Sequence, residues 1–435
     1  MDVLIKNGLV LTMDKRRRIL KNTSIGITDG KITDIAEDLK GEADFVIDAS
    51  DKIVMPGLIN AHTHLPMTLL RGMADDLPLD KWLNEEIWPI EAQLEAKHVY
   101  AGALLGCLEM IQSGTTCFND MYFFMDEVAR SCKETGIRGC ISHAMFDFGD
   151  TSKIPEMLGH GKDNISKYKN GLVRAFVAPH APYTCSQELL LKAKELAEEN
   201  ETRLHIHIAE SQKEVNDSIE QKGAPPFEYL DKIGFLDENV IAVHSVWASE
   251  KEIGIMKKRG VKVAHNPISN MKLASGVAPV PEYLKKGICV ALGTDGAASN
   301  NNLSMFSEMK TCALLHKISN MDPSTVPAYS VLESATINGA RALGMEEEIG
   351  SIEVGKTADI ILVNLKSANM TPLTNPVSHI VYAAKGSDVN SVIVDGRILM
   401  QDRELRTLDL EDVLKFANEE ARKLFLKAGK EDKLF

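Results

Sequence analysis

The pattern of apolar and polar positions changes twice along the chain. From Val3 to Thr12, from Ser24 to Ile35 around Asp29-Gly30, and from Phe45 to Val54, β-branched and apolar residues alternate or cluster between turn residues, which predicts short strands. The same texture returns at Ala358 to Val363 and at Val389 to Leu399, with Asp395-Gly396 inside the second. Two strand-rich ends around a long middle predict one small sheet domain built from both termini. From about Leu408 to Ala428, Leu, Ala, Glu and Lys predict a closing amphipathic helix.

The middle has another rhythm. Apolar runs at Gly57–Ala61, Thr115–Phe118, Gly139–Ser142, Val173–Ala178, Leu204–Ile208, Val240–Val243, Val261–Ala264 and Cys289–Gly293 predict eight strands. Between them Ala101–Gln112, Met125–Thr135, Gln187–Glu199, Glu250–Arg259 and Asn302–Lys317 predict helices. This alternation is the pattern of an α/β fold, a (β/α)8 barrel, which typically needs about 250 residues. The rival, a doubly wound sheet, would usually carry a glycine-rich phosphate loop after its first strand, and none occurs. The expected division is 1–56 with 346–435 as the sheet domain and C-terminal helix, and 57–345 as the catalytic barrel. No Gly/Ser-rich or Pro-rich linker separates them, so tight packing is expected.

Composition narrows the function classes. Across 435 residues, Lys+Arg 49 against Asp+Glu 62 leaves a net charge of −13, which argues against a nucleic-acid surface. The one basic run, Lys15-Arg16-Arg17-Arg18, lies between strand segments and reads as a solvated hairpin turn. Seven cysteines, an odd count without a C-x-x-C pair, point to a reducing compartment. The first residues contain no uninterrupted apolar run, and no stretch approaches the roughly 18 apolar residues of a membrane span. A cytoplasmic protein with no membrane partner is expected.

Histidines and acids collect where the barrel strands stop. His62-Thr63-His64 closes strand one, His180 strand four, and strand five carries His205 and His207 with Glu210 following. His244, His265 and Asp295 end strands six, seven and eight. In a barrel these ends share the face that bears active sites. Residues i and i+2 of a strand face the same way, so His62 and His64 can offer imidazoles to one ion. With His207 and Asp295 arriving from other strands, the set suits one catalytic divalent metal, zinc first, with iron or manganese as alternatives.

Pro56-Gly57-Leu58-Ile59-Asn60-Ala61-His62-Thr63-His64, His205-Ile206-His207-Ile208-Ala209-Glu210 and Gly293-Thr294-Asp295 resemble the metal-site motifs of the amidohydrolase superfamily, and the likeness spans nearly the whole chain, including split terminal strands like that superfamily's small β-sandwich. More narrowly, Trp88-Pro89-Ile90-Glu91, Ala178-Pro179-His180 and His265-Asn266-Pro267-Ile268-Ser269-Asn270 resemble the methylthioadenosine/S-adenosylhomocysteine deaminases and the related 5′-deoxyadenosine deaminases. The resemblance implies a metal held by His62, His64, His207 and Asp295, with Asp295 also taking a proton from the activated water. It implies that Glu210 shuttles protons to the purine and the leaving amine, that His244 orients the nucleophile, and that Glu91 and His180 hold the nucleoside. It further implies a homo-oligomer, a homotetramer in particular. A lysine or acid that would bridge two metals is absent at the end of strand four, which favours a single ion. The other zinc-deaminase signature, His-x-Glu with Pro-Cys-x-x-Cys, is absent.

Other residues carry plainer expectations. His205 lies one layer below His207 and reads as a supporting group. His265 is expected to be structural, and His98, His143, His160, His316 and His379 are given no role. Trp82, Trp88, Met67 and Leu70 are assigned to core packing. Glu91, taken without the resemblance, is a helix-start carboxylate. Relatives that take S-adenosylhomocysteine grip its tail with arginines after strand three, a residue suited to carboxylates. From Gly139 through Gly171 no arginine occurs, so a short uncharged 5′ substituent is expected. The alternatives are deamination of a free base such as guanine, a triazine-type aminohydrolase or chlorohydrolase, and a noncatalytic scaffold. The ribose-binding Glu91 and the complete ligand set argue against them.

Overall fold

The computed structural model describes residues 1–434. Strands from both chain ends meet in one sheet. From the N-terminal end come β1 (Val3–Leu11), β2 (Ile19–Thr28), β3 (Lys31–Ala36), β4 (Phe45–Asp48) and β5 (Lys52–Pro56). The barrel follows with β6 (Leu58–Thr63), β7 (Thr115–Tyr122), β8 (Arg138–Met145), β9 (Val173–Ala175), β10 (Ala178–Pro179), β11 (Leu204–Ile208), β12 (Val240–His244), β13 (Lys262–His265) and β14 (Val290–Leu292). Then β15 (Ile360–Asn364), β16 (Val389–Val394), β17 (Arg397–Gln401) and β18 (Glu404–Leu405) return to the first sheet. Its nine strands run β18-β17-β16-β15-β5-β1-β2-β3, with β4 beside β1, so the seam between the chain ends is the antiparallel pair β5–β15.

Every expected barrel strand forms. Parallel ladders join β6 through β10 and β11 through β14. The two arcs close into a ring through backbone bonds, His205 N to Val177 O at 2.9 Å on one side and Thr294 N to His62 O at 3.1 Å on the other. Strand four is broken into β9 and β10. Cys117, Cys140, Ile241, Val243, Ala264 and Ala291, from five strands, form one buried apolar cluster that fills the barrel.

The helices Met125–Thr135, Gln187–Glu199 and Glu250–Arg259 form with the expected ends. The first long helix begins earlier than its apolar pattern suggests, at Ala96, because Glu95 and His98 make a reciprocal capping box. The last starts later, at Met305, because Asn302 Oδ1 accepts from Ser304 N at 3.0 Å and holds a turn instead. The C-terminal helix Leu410–Lys427 lays Val413 and Ala417 against Leu104, Leu108 and Ala101 of the first long helix. Barrel and sheet are pinned together by a buried ion pair, Arg138 Nε to Asp359 Oδ2 at 2.9 Å and Nη2 to Oδ1 at 3.1 Å. The Lys15–Arg18 run is the β1–β2 connection, with Arg18 paired to Asp14 at 2.5 Å.

Candidate active site

The strand ends turn their side chains onto a common centre. Backbone geometry assists: Ala209, His244 and Asp295, at the ends of β11, β12 and β14, have φ of 54°, 65° and 62°. Left-handed conformations at non-glycine residues cost about 1–3 kcal/mol each and persist where surrounding contacts enforce them. His62 and His64 leave β6 in succession, and each places Nε2 3.3 Å from Asp295 Oδ1. The donor atoms of His62, His64 and Asp295 lie within 4.8 Å of one another, as do those of His62, His207 and His244.

Whether a metal fits can be read from the imidazole partners. Nδ1 of His64 donates to Met121 O at 2.7 Å and Nδ1 of His207 to His180 O at 2.8 Å, which leaves a lone pair on Nε2 of each. His62 Nδ1 meets His205 Nε2 at 2.9 Å, and His62 Nε2 is buried with no hydrogen-bond partner. A buried nitrogen left bare beside two other imidazoles and a carboxylate fits a set of residues that would hold one divalent ion. His205 is thus the supporting group expected for it.

The acids are held as firmly. Asp295 Oδ2 accepts from Ser269 Oγ at 2.6 Å and Ser299 Oγ at 2.9 Å, and Oδ1 accepts from Gly296 N at 2.8 Å. Burial alone would raise the Asp295 carboxyl, yet the adjacent His62, His64 and His244 imidazoles hold it well below the usual range. Glu210 goes the other way. Burial, then the Asp295 charge, pushes its carboxyl well above the ordinary value, toward the proton-holding form. Its Oε2 lies 3.6 Å from His244 Nε2. Glu214 fixes the turn that carries it, accepting from Ala209 N and Glu210 N at 2.8 Å each.

These groups floor a cavity of about 800 Å³. Glu91 ends a helical segment, 79–91, that lies across the mouth, and its carboxyl enters the wall, where burial pushes it up to about 7 against a weaker pull from the Tyr122 hydroxyl. His180 enters the same wall, its Nδ1 2.9 Å from Thr184 Oγ1, and burial lowers it to about 3, so the ring is neutral. An outer lobe is formed by His143, Phe146, Phe148, Met157 and His160, with the two imidazole centroids 4.2 Å apart. Among the described residues no lysine or arginine lines this cavity; Lys213 and Lys272 line an adjoining pocket that shares Trp88, Tyr183 and Glu210 with it.

The structure therefore brings together His62, His64, His207, Asp295, Glu210, His244, Glu91 and His180. His265 stays outside, facing His316 at 3.2 Å within the barrel wall. Met67, Trp82 and Trp88 line the cavity as well as packing in the core, whereas Leu70 packs in the core alone. Sequence reasoning missed Ser269, Ser299, Glu214, Asn270, His143 and His160. For Ser269 and Asn270 the signal was present in the His265–Asn270 motif; for the others only packing reveals them.

A closed barrel whose strand ends converge three imidazoles and a carboxylate, beside a buried glutamate, defines a metal-dependent hydrolase. The chain belongs to the amidohydrolase family, whose model matches residues 53–399. It is 51% identical over 410 residues to a 5′-deoxyadenosine deaminase of Methanothermobacter thermautotrophicus, covering 93% of this chain and 95% of that one. It is 49% identical over 389 residues to a 5-methylthioadenosine/S-adenosylhomocysteine deaminase of Syntrophomonas wolfei, covering 88% and 90%. Among solved structures, an adenosine deaminase from Xanthomonas campestris with bound zinc superposes with a TM-score of 0.93 at 36% identity, covering 98% of this chain and 99% of that one. Among the described residues, no helix is long and apolar enough to cross a membrane.

Proposed function

We propose that this chain hydrolyses the C6–N bond of a 5′-modified adenosine, consuming one water and releasing ammonia and the matching inosine. The observation that carries the reading is the pairing, in one cavity, of the buried Glu210 beside the candidate metal ligands with a second acid, Glu91, in the wall. A carboxyl set in the wall apart from the ligand cluster suits a substrate that carries hydroxyls beyond its base, as a ribose does, better than a free base or a triazine.

His62, His64, His207 and Asp295 would hold one divalent ion, and a three-nitrogen, one-oxygen set favours zinc. Such an ion, when bound, supplies the Lewis acidity that makes water nucleophilic near neutral pH. Glu210 delivers its proton to N1 of the purine as C6 becomes tetrahedral, which keeps negative charge off the ring. Asp295, ionised and anchored by two serines, takes one proton of the attacking water; the other, left on the C6 hydroxyl, passes through Glu210 to the departing nitrogen, which leaves as ammonia, and the Asp295 proton restores Glu210. His244 steadies the attacking oxygen. Glu91 accepts from the ribose hydroxyls, and neutral His180 contacts the nucleoside.

The lining without cations supports a short uncharged 5′ group, as in 5′-deoxyadenosine or 5′-methylthioadenosine, over the carboxylate tail of S-adenosylhomocysteine. We assign 57–345 as the catalytic barrel and 1–56 with 346–435 as the accessory sheet domain, in a cytoplasmic homotetramer. Light scattering on the purified protein tests the assembly. A panel of these nucleosides, followed by loss of adenine absorbance, tests the chemistry beside Glu210→Gln. Turnover of the two uncharged nucleosides with a higher kcat/KM than S-adenosylhomocysteine, abolished in the variant, is expected. Full activity in Glu210→Gln would overturn the proton-shuttle role.

A further inference from the structure

The partner at Nδ1 separates one imidazole from the rest. His64 and His207 donate from Nδ1 to main-chain carbonyls, so their Nε2 atoms carry lone pairs. His244 Nδ1 instead faces amide nitrogens, Asn270 Nδ2 at 2.9 Å and Asn266 Nδ2 at 3.3 Å. All three residues are at most 1% exposed, so no water competes for that nitrogen. An imidazole that accepts at Nδ1 keeps its proton on Nε2.

The distinction matters because His244 stands close enough to join the metal shell. Its donor atom lies within 4.8 Å of those of His62 and His207. A bare Nε2 there would add another nitrogen and close the open position that a catalytic site keeps for water. A protonated Nε2 cannot bind a metal and can only donate.

We propose that Asn270 is a positioning residue that locks His244 in its Nε2–H tautomer, keeping it out of the metal shell and making it a hydrogen-bond donor to the attacking oxygen. The inference rests on the reading of His62, His64, His207 and Asp295 as the shell. The Asn270 backbone is fixed: its main-chain N–H bonds Asn266 O at 3.0 Å and its main-chain carbonyl accepts from Ser275 N at 2.9 Å, while its amide presents Nδ2 to His244. The same short helix, Pro267–Lys272, presents Ser269 to Asp295, so one element sets both polar groups above the pole.

The test is Asn270→Asp, nearly the same shape with the amide donor replaced by an acceptor. A carboxylate facing Nδ1 draws the imidazole proton to that side and frees the Nε2 lone pair. Kcat is expected to fall by roughly 10–100-fold with KM unchanged, and by more than in Asn270→Ala, where Asn266 still points at Nδ1. Metal-free Asn270→Asp is expected to take Zn2+ from a chromophoric chelator more strongly than the parent protein does. In a His244→Ala background the same substitution should change neither quantity. If Asn270→Asp does not fold, the Asn266→Ala/Asn270→Ala pair replaces it, with the kcat loss again expected only when His244 is present. Unaltered kcat and zinc affinity, or an equal effect without His244, would overturn the proposal. A parent protein that binds no zinc would instead sink the reading of the shell.

Discussion

Ser269 Oγ donates to Asp295 Oδ2 at 2.6 Å, from a helix that follows one barrel strand to a carboxylate that follows the next. With Ser299 on the same oxygen at 2.9 Å, Asp295 has one oxygen engaged by hydroxyls and leaves Oδ1 facing His62 and His64. Groups that orient a metal ligand in this way are commonly worth about 10–100-fold in metal affinity or activity. Ser269→Ala is expected to lower kcat within that range, and the Ser269→Ala/Ser299→Ala pair by more, with zinc content measured by atomic absorption falling in the same order. Full zinc loading and unchanged kcat in the pair would remove the serines from the machinery.

Glu91 predicts a pH dependence of binding. Burial pushes its carboxyl up to about 7, so below that pH the free enzyme holds it protonated. Ribose hydroxyls donate, so they bind the ionised form better, and substrate binding must expel the proton. KM for 5′-methylthioadenosine should therefore rise as pH falls through 7, approaching about tenfold per unit below it, and stay flat above it. Glu91→Gln should raise KM and remove this dependence. A KM profile identical in the two proteins would exclude Glu91 from the ribose.

What the sequence made legible follows from periodicity. Buried strands write themselves as apolar runs, and His62, His64, His207 and Asp295 stand at their ends, where barrel geometry alone forces convergence. The supporting layer carries no such rhythm. Glu214 sits on a helix, four residues beyond Glu210, and reaches back to the backbone; Ser299 is an ordinary polar residue in a loop helix. His143 and His160 come from β8 and from the helix Ile154–Lys167, and only tertiary packing stacks them in the outer lobe. The terminal strands were readable, as was their joining into one domain, but the seam itself, β5 against β15, depends on pairing that neither segment encodes by itself.

Gly293 is tied to the metal pole by space. A Cβ built there would lie 2.4 Å from Asn266 Oδ1, 2.8 Å from His62 N and 2.9 Å from His62 Cβ. Two of those neighbours belong to the first ligand and one to the residue that helps hold His244. Gly293→Ala is expected to destabilise by about 1–3 kcal/mol, as overpacking does in a dense interior, and to cut zinc binding as His62 is displaced. A melting temperature and zinc stoichiometry equal to those of the parent would show that the wall yields.

The last prediction concerns stability away from the site. Arg138 begins β8 and Asp359 precedes β15, so their pair at 2.9 and 3.1 Å joins barrel to sheet, with both side chains under 5% exposed. Asp359 Oδ1 also accepts from Asp395 N at 2.8 Å, which ties the β16–β17 turn into the same contact. Removing Asp359 leaves the buried Arg138 with only the exposed Asp395 carboxylate, 3.5 Å from Nη2, and breaking a buried pair in this way costs about 3–5 kcal/mol, whereas replacing both by apolar residues of similar volume is often close to neutral. Asp359→Leu should therefore unfold at markedly lower denaturant concentration than Arg138→Met/Asp359→Leu, even though the double variant is further from the native sequence. Neither residue touches the cavity, so kcat per folded molecule should stay at the parent value in both. Equal midpoints for the single and double variants would mean that the interface is held by its apolar contacts and that the charges there are already relieved by water.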